Sequence, residues 1–372
     1  MKVMTLVGTR PELIKLSRVI HELDACVEHV LVHTGQNYDY ELNEVFFREL
    51  EIRCPDHFLD TPGANLGETL GNILARAYEV LARERPEALL LLGDTNSCLA
   101  SICAKRLKIP IFHMEAGNRS FDERVPEEVN RRIVDHTSDI NLPYTEHARR
   151  YLVASGIRPE TVIKTGSPMR EVLEHYRPGI DASDVLARLA LAPGRYFLVS
   201  AHREENVDDP ARLRELVATL EALAARHALP VIVSTHPRTM KRLQDAGIGA
   251  ADARVRFMKA MGFFDYVKLQ MSAACVLSDS GTITEESSIL GFPAVTLREA
   301  HERPEGMDEA TLVMCGLTAE RVLEAVEMVR RQHGEGQTFR LVPDYAPDNV
   351  SKKVVRLILS YTDYVNRTVW RR

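Results

Sequence analysis

The segment VMTLVGTRPE, residues 3–12, sets the pattern for the whole chain. Its short apolar run predicts a buried strand, Gly8 predicts a turn, and Pro11 suits the first turn of a helix. Short apolar runs then alternate with amphipathic stretches over nearly the whole length, which is typical of βα units around parallel sheets. The sequence therefore predicts an α/β protein.

The predicted strands fall into two series. The first comprises residues 3–7, 29–32, 88–92, 111–114, 140–142 and 162–164, and the second 196–200, 231–234, 255–258, 275–278 and 294–297. Between them, residues 167–195 are rich in proline and glycine and show no strand pattern. The chain has 372 residues, enough for two domains. We predict Rossmann-like domains at 1–167 and 168–347, and a C-terminal helix within 348–372 that could pack back on the first domain.

Composition excludes several classes of protein. Lys plus Arg number 47 and Asp plus Glu 53, so there is no overall positive field to hold a nucleic acid. The six cysteines include no Cys-x-x-Cys pair, which indicates reduced thiols. The N-terminal apolar run is too short for a signal peptide, and no apolar stretch could span a bilayer. We expect a cytoplasmic protein that binds neither nucleic acid nor membrane.

Polar residues that directly follow strands face the ligand crevice of an open α/β sheet. Arg10 and Lys15 follow the first strand at a helix start, where free N–H groups attract anions. A phosphate site and a plain turn with solvated bases both fit this segment. Asp94 and Glu115 follow two later strands, and paired carboxylates suit acid–base chemistry. The alternative is that Asp94 caps a helix and Glu115 pairs with a surface base.

Residues 126–132, PEEVNRR, predict the first turn of a helix. Consecutive helical residues lie about 100° apart, so only one of Glu127 and Glu128 can face the crevice squarely, and the other is a solvated first-turn acid. In the second half, His202 and a His-Pro-Arg segment at 236–238 each follow a predicted strand. A lone histidine is more often structural than catalytic, but His202 lies where ligands bind.

The segment DSGTITEE, residues 279–286, leaves a strand and enters a helix. Ser280, Gly281 and Thr282 would leave backbone N–H groups open to a diphosphate, and Glu286 could accept hydrogen bonds from ribose hydroxyls. An ordinary capped helix is the alternative. The chain contains no His-Glu-x-x-His, Asp-x-Asp, Walker or complete Gly-x-Gly-x-x-Gly motif, so we predict neither a metal nor a dinucleotide cofactor.

Taken in order, seven segments resemble the non-hydrolysing UDP-N-acetylglucosamine 2-epimerase family. They are GTRPE at 8–12, GDT at 93–95, EAG at 115–117, PEE at 126–128, HRE at 202–204, DSG at 279–281 and ERPE at 302–305. The resemblance spans nearly the entire chain. It implies two domains whose parallel sheets face a central cleft, as in the GT-B glycosyltransferases. It also implies a homodimer and a cofactor-free epimerisation at carbon 2 of a UDP-linked 2-acetamido sugar.

The resemblance further implies roles for individual residues. The family's catalytic places fall on Asp94, Glu115, Glu127 and His202. Its nucleotide- and diphosphate-binding places fall on Arg10, Lys15, Ser280, Gly281, Glu286 and Arg303. Tyr266 matches, by spacing, an aromatic residue near the uracil. The chain departs from the family at Ala201, which replaces a glycine before the histidine, and at Thr282, which replaces the second glycine of an Asp-Ser-Gly-Gly loop.

Two segments favour one substrate. HTGQNYD at 33–39 and EAGNRSFD at 115–122 resemble the subgroup that forms UDP-N-acetyl-L-fucosamine from its epimer, UDP-2-acetamido-2,6-dideoxy-L-talose, for surface polysaccharides. Two other functions stay open. One is a UDP-sugar glycosyltransferase of the same fold, and the other is a UDP-sugar-binding protein without catalytic activity.

Overall fold

The computed structural model describes residues 1–35, 40–235, 237–300, 302–336 and 339–372. The chain divides into two compact units, one formed by Met1–His175 with Pro343–Arg372 and the other by Tyr176–Val342. Residues 36–39 of the HTGQNYD segment, and His236 of the His-Pro-Arg segment, lie outside the described residues.

The first unit is built on a six-stranded parallel sheet. Its strands are β1 (Lys2–Val7), β2 (Glu28–His33), β3 (His57–Phe58), β4 (Ala88–Leu92), β5 (Ile111–Met114) and β6 (Ile140–Leu142). The helices between and after them are α1 (Arg10–Cys26), α2 (Tyr40–Glu49), α3 (Leu66–Glu84), α4 (Ser101–Arg106), α5 (Pro126–Thr137), α6 (Glu146–Ala154) and α7 (Met169–His175). The strand order is β3-β2-β1-β4-β5-β6, so the order reverses between β1 and β4, where ligands bind in such sheets.

The second unit repeats this plan. Its strands are β7 (Phe197–Ser200), β8 (Val231–Thr235), β9 (Val255–Lys259), β10 (Cys275–Ser278), β11 (Ala294–Thr296) and β12 (Val313–Met314). Its helices are α8 (Arg177–Ala182), α9 (Val185–Arg188), α10 (Glu204–Val207), α11 (Pro210–His227), α12 (Pro237–Asp245), α13 (Phe263–Ser272), α14 (Thr282–Leu290), α15 (Pro304–Asp308) and α16 (Ala319–Gly334). The order β12-β11-β10-β7-β8-β9 reverses between β7 and β10.

The C-terminal helix α17 (Val350–Thr368) returns to the first unit and packs on α1. Val350, Val354, Ile358 and Val365 are fully buried along one face of α17. This spacing is the apolar stripe of an amphipathic helix. The helix therefore completes the covering of the first sheet.

The strand predictions agree with the structure except at three places. Residues 162–164 do not form a strand, because only Val162 bridges β6, through Asn141, before Gly166 turns the chain at φ 87°. The two-residue edge strands β3 and β12 were missed, because two residues show no periodicity. The leucine run of β4 is buried throughout, as expected for a parallel strand covered on both faces.

Glu12, in the first turn of α1, ties the turn after β1 to the turn after β4. Its Oε2 accepts hydrogen bonds from the N–H groups of Gly8 and Thr9 at 2.9 and 2.7 Å. Its Oε1 accepts one from the Thr95 hydroxyl at 3.1 Å. Burial raises the pKa of Glu12 to about 7, although these hydrogen bonds oppose the shift.

Glu12 should make the free energy of unfolding fall as the pH rises. The folded protein keeps the Glu12 proton at pH values where the unfolded chain, with a pKa near 4.5, has lost it. The resulting stabilisation is fully present below about pH 4.5 and is lost as the pH rises through about 7, a total of about 3 kcal/mol. Glu12→Gln cannot ionise, so urea unfolding at pH 5 and pH 8 should differ less in this variant. An equal difference in both proteins would contradict the assignment.

Candidate active site

The turns after β4 and β5 have backbone conformations that need particular residues. Gly93 and Gly117 have φ values of 80° and 81°, and a Cβ atom on Gly117 would lie 2.5 Å from the carbonyl oxygen of Ala148. Glu115 adopts the same left-handed region at φ 58°, which costs a residue with a side chain roughly 1–2 kcal/mol. Because β4 and β5 are adjacent, the two turns place Asp94 and Glu115 on neighbouring strand ends.

Arg131, on α5, joins the two carboxylates. Its guanidinium contacts the Asp94 carboxylate and the main-chain carbonyl of Glu115, and lies 3.4 Å from Glu115 Oε1. Lys15, on α1, forms an ion pair with the other carboxylate oxygen of Glu115. The side chains of Lys15, Glu115 and Arg131 are 5%, 8% and 3% exposed, and that of Asp94 is 18% exposed. We call Lys15, Asp94, Glu115 and Arg131 the acid–base cluster.

The contacts within the cluster bear on two alternative interpretations that the sequence left open, one for Asp94 and one for Glu115. Asp94 is not simply a helix cap, because its carboxylate pairs with Arg131 and the N-cap of the 3₁₀ helix Asn96–Ala100 is Thr95. The idea that Glu115 pairs with a surface base is wrong, because both of its basic partners are buried. The two acids therefore share one charged site.

Lys15 and Arg10, which the sequence groups as a phosphate site, have different partners. Lys15 is buried against Glu115. The Arg10 guanidinium lies 5.8 Å from the centroid of the Phe46 ring, and Arg10 is partly exposed. The structure thus gives Lys15 a carboxylate partner that the sequence interpretation did not include.

Glu127 and Glu128 occupy different environments, as helical geometry requires. Glu128 is buried and accepts hydrogen bonds from the Ser120 N–H at 2.8 Å and from Arg132 Nε at 2.9 Å. Glu127 is exposed in the first turn of α5. Glu128 therefore holds the loop before α5, and Glu127 is the exposed first-turn acid.

Sequence reasoning missed Arg131, although α5 carries a signal for it. Glu128, Arg131 and Asp135 follow the helical spacing i, i+3, i+7 and are buried on α5, together with Asn130 and Val134. The apolar residues Val129 and Ile133 are instead 44% and 37% exposed. An ordinary amphipathic helix buries apolar residues and exposes charged ones, so three buried charged residues depart from that pattern. Charged side chains at this spacing therefore mark a helix face with a polar role.

In the second unit, Asp279 organises the turn after β7. Its carboxylate accepts hydrogen bonds from the N–H groups of His202 and Arg203, both at 2.9 Å, and from Asn206 Nδ2 at 3.0 Å. Asp279 is fully buried, whereas the His202 side chain is 40% exposed. The buried carboxylate fixes the backbone, and the imidazole stays accessible.

The turn after β10 leads into α14, which begins at Thr282. The hydroxyls of Ser280 and Thr282 lie 3.0 Å apart. Arg303 donates from Nε to the Gly281 carbonyl at 3.0 Å and pairs with the buried Glu285 at 2.8 Å. The structure thus brings Arg303 together with the loop residues predicted to bind diphosphate, and ties it to the first turn of α14.

Glu286 and Tyr266 lie beside this turn. Gln270 Nε2 donates to Glu286 Oε2 at 2.5 Å. Burial, and then the charge of Glu286, raise the pKa of Tyr266 above its ordinary value. The phenol of Tyr266, on α13, is therefore neutral at physiological pH and electrostatically coupled to Glu286.

Among the residues that the structure describes, no three His, Cys, Asp or Glu side chains are grouped so as to hold a metal ion. None of the helices described there is both long enough and apolar enough to cross a membrane.

Known proteins similar to this chain cover both units. The family model described as UDP-N-acetylglucosamine 2-epimerase matches residues 21–359. The structure of a UDP-N-acetylglucosamine 2-epimerase from Rickettsia bellii is 54% identical, with a TM-score of 0.92 and 100% of each chain covered. The Methanocaldococcus jannaschii UDP-GlcNAc 2-epimerase, in complex with UDP-GlcNAc and UDP, is 32% identical, with a TM-score of 0.91 and coverage of 97% of this chain and 100% of that one.

A curated relative has a different sugar in its name. The UDP-2,3-diacetamido-2,3-dideoxy-D-glucuronate 2-epimerase of Pseudomonas aeruginosa is 33% identical over 359 residues, 93% of this chain and 99% of that protein. The predicted fold class, two parallel-sheet α/β domains of the GT-B-like kind, is confirmed. Since the family model and these relatives extend over nearly the whole chain, the protein belongs to the UDP-N-acetylglucosamine 2-epimerase family.

Proposed function

We propose that the protein epimerises carbon 2 of a UDP-linked 2-acetamido sugar without net hydrolysis. UDP leaves carbon 1 by anti elimination, which gives a 2-acetamidoglycal, and adds back after a proton is delivered to the opposite face of carbon 2. The carbon 2 hydrogen has no adjacent carbonyl, so it becomes acidic only as positive charge develops at the ring. The reaction needs proton-transfer groups at carbon 2 and groups that stabilise the departing diphosphate.

The acid–base cluster carries this proposal. Its two carboxylates and two cations are all largely buried, and together they are neutral. A site that only bound diphosphate would present cations in excess, whereas Lys15 and Arg131 already contact carboxylates. The two cations stabilise the ionised forms of Asp94 and Glu115, and proton abstraction requires an ionised carboxylate. We assign Asp94, Glu115 and the exposed Glu127 to proton transfer.

We assign most of the nucleotide-binding residues to the second unit, and Arg10 to the first. The N-terminus of α14 offers backbone N–H groups and a favourable dipole to a diphosphate. The residues proposed to bind the nucleotide and its diphosphate are Arg10, Ser280, Gly281, Thr282, Glu286, Arg303 and, beside the uracil, Tyr266. His202 is proposed to donate to the diphosphate, which its exposed imidazole supports. Lys15 could serve the leaving group only by changing partner from Glu115.

The sugar itself is a finer proposal. The names of the relatives share UDP and an acetamido group at carbon 2, and they differ in the substituents at carbons 3 and 6. We propose UDP-2-acetamido-2,6-dideoxy-L-talose as substrate and UDP-N-acetyl-L-fucosamine as product, for cytoplasmic synthesis of polysaccharide precursors. The support is the resemblance of residues 33–39 and 115–122 to that subgroup.

We also propose that the protein is a homodimer. The outer face of α5 exposes Val129 and Ile133, and α4, which packs on α5, exposes Ile102 at 38%. Apolar side chains grouped on one surface are a common feature of protein–protein interfaces. Sedimentation or light scattering of the purified protein would measure the oligomeric state.

Solvent hydrogen exchange tests the reaction type. With a UDP-linked 2-acetamido sugar alone in heavy water, deuterium should appear at carbon 2 of both epimers while the UDP-sugar stays intact, as measured by NMR and mass spectrometry. A glycosyltransferase would need an acceptor and leave carbon 2 unlabelled, and a hydrolysing enzyme would accumulate free UDP. Absence of exchange with every candidate UDP-acetamido sugar would refute the proposed function.

Substitutions of the acids test their roles. Asp94→Asn, Glu115→Gln and Glu127→Gln should each lower turnover by about 10²-fold or more, because each removes a proton-transfer group. Affinity for UDP, measured by calorimetry, should stay nearly unchanged. Turnover like that of the wild type in any one variant removes that residue from the mechanism.

Asp139→Asn is a matched control for these variants. Asp139 is a buried carboxylate that pairs with Lys105 at 2.5 Å and accepts the Ile111 N–H at 2.9 Å, at the start of β5. It lies at the opposite end of that strand from Glu115. We expect this control to lose stability and to keep its turnover per folded molecule.

Substrate preference tests the finer proposal. Initial rates with UDP-N-acetylglucosamine and with UDP-2-acetamido-2,6-dideoxy-L-talose should show a higher kcat/KM for the 6-deoxy-L-talo nucleotide. A preference of tenfold or more for UDP-N-acetylglucosamine, about 1.4 kcal/mol in transition-state binding, would reject the L-talo assignment and leave the reaction type intact.

A further inference from the structure

His113 lies inside β5, between the turns that carry the two carboxylates of the acid–base cluster. Its side chain is completely buried. Nε2 lies 2.7 Å from the carbonyl oxygen of Gly93, in the turn after β4. Nδ1 lies 3.1 Å from Asp135 Oδ1, on α5. The imidazole therefore connects β5 with the end of a neighbouring strand and with the helix that carries Arg131.

Asp135 extends the connection to the turn after β5. Its Oδ1 accepts the Gly117 N–H at 3.1 Å, and its Oδ2 pairs with Arg119 at 2.7 Å. Burial opposes ionisation of Asp135, but the hydrogen bond and charge of His113, and then the charges of Arg119 and Arg131, lower its pKa below the ordinary value. Asp135 is thus an ionised carboxylate with basic partners on both sides.

The partners of His113 fix the protons on its ring. A backbone carbonyl oxygen only accepts hydrogen bonds, and so does an ionised carboxylate. Nε2 faces the Gly93 carbonyl, so Nε2 carries a proton and donates it to that oxygen. Nδ1 lies within ion-pair distance of the Asp135 carboxylate, so the ring contacts one acceptor on each side.

We infer that His113 is a positioning residue for both Asp94 and Glu115. Gly93, which immediately precedes Asp94, is held on both sides by β5, because its N–H donates to the Met114 carbonyl at 3.0 Å and its carbonyl accepts from His113. Through Asp135, the same imidazole holds the Gly117 N–H, two residues after Glu115. The His113 side chain therefore fixes the position of the turn that carries Asp94 relative to the turn that carries Glu115. The inference rests on the proposed function of these carboxylates.

The left-handed backbone of Glu115 makes this support necessary. A residue with a side chain keeps a positive φ only where the surrounding structure holds it there. Two hydrogen bonds hold the backbone at Glu115. Arg131 donates one to the Glu115 carbonyl, and the Gly117 N–H donates the other to Asp135. Loss of the His113–Asp135 contact would loosen the second of these. Catalytic groups displaced by about 1 Å lose on the order of 10²-fold in rate.

Two substitutions separate the two contacts of the ring. In His113→Gln the amide nitrogen takes the place of Nε2, so the contact with Gly93 is kept and the contact with Asp135 is lost. In His113→Asn the amide nitrogen takes the place of Nδ1, so the contact with Asp135 is kept and the contact with Gly93 is lost. We expect both variants to lower kcat for epimerisation by about tenfold or more, with KM and UDP affinity changed by less than about threefold.

His29→Gln is the matched control. His29 is also a buried histidine of this sheet, and its ring lies 2.6 Å from Asp24 and 2.9 Å from the Thr5 hydroxyl. It lies near the start of β2, at the end of the sheet opposite the acid–base cluster. We expect the control to lose stability comparably and to keep the wild-type kcat per folded molecule. A double variant, His113→Gln with Asp135→Asn, should lose no more kcat than the worse single variant, because both act through one contact.

The outcomes are separable. Unchanged kcat in both His113 variants, or an equal loss in His29→Gln, would overturn the positioning role. So would nitrogen NMR of histidine-labelled wild-type protein showing an unprotonated Nε2 on His113, a measurement that needs no activity. If the wild-type protein exchanges no hydrogen at carbon 2, the proposed function fails, and the NMR result alone decides whether His113 donates to the turn after β4.

Discussion

Neighbouring carboxylates that carry negative charge repel each other, and the arrangement of Asp94 and Glu115 at adjacent strand ends depends on the cation between them. Arg131 offsets this repulsion by contacting both Asp94 and Glu115, and Lys15 adds a second positive charge. Removing Arg131 would take away the cation that both carboxylates contact, and loss of one partner from a buried ion pair is destabilising. The four side chains therefore form one unit.

The topology explains how four separate segments supply this cluster. β1, β4 and β5 are consecutive in the sheet, so their carboxyl ends open at one edge, and α1 and α5 approach the same edge. The second unit has the same reversal of strand order at β7 and β10. Its turns are organised differently, because the buried Asp279 carboxylate accepts backbone N–H groups and the Asn206 amide rather than pairing with another carboxylate's cation. One topology thus supports a charge cluster in one unit and a carboxylate-held turn in the other.

Much of this could be predicted from the sequence, because its strands are short apolar runs and its chemistry follows them directly. That rule alone placed Asp94, Glu115 and His202 at strand ends, as the structure does. Arg131 was missed because a charged residue on a helix is normally solvated, and the helical spacing of Glu128, Arg131 and Asp135 does not by itself show that their face is buried. The pairing of Lys15 with Glu115 joins residues 100 positions apart. Such a partner is set by tertiary packing, which local periodicity does not encode.

The charged network extends beyond the cluster. Asp135 and Glu128 add two acids on α5, and their partners include Arg119, Arg132 and His113. Buried ion pairs contribute little net stability, because desolvation offsets most of their attraction, and apolar replacements are often at least as stable. Stability alone therefore does not explain a buried, charged face on α5. Directional contacts do explain it, since each fixes a particular atom of the turns after β4 and β5, and apolar packing would leave the orientation of Asp94 and Glu115 less sharply defined.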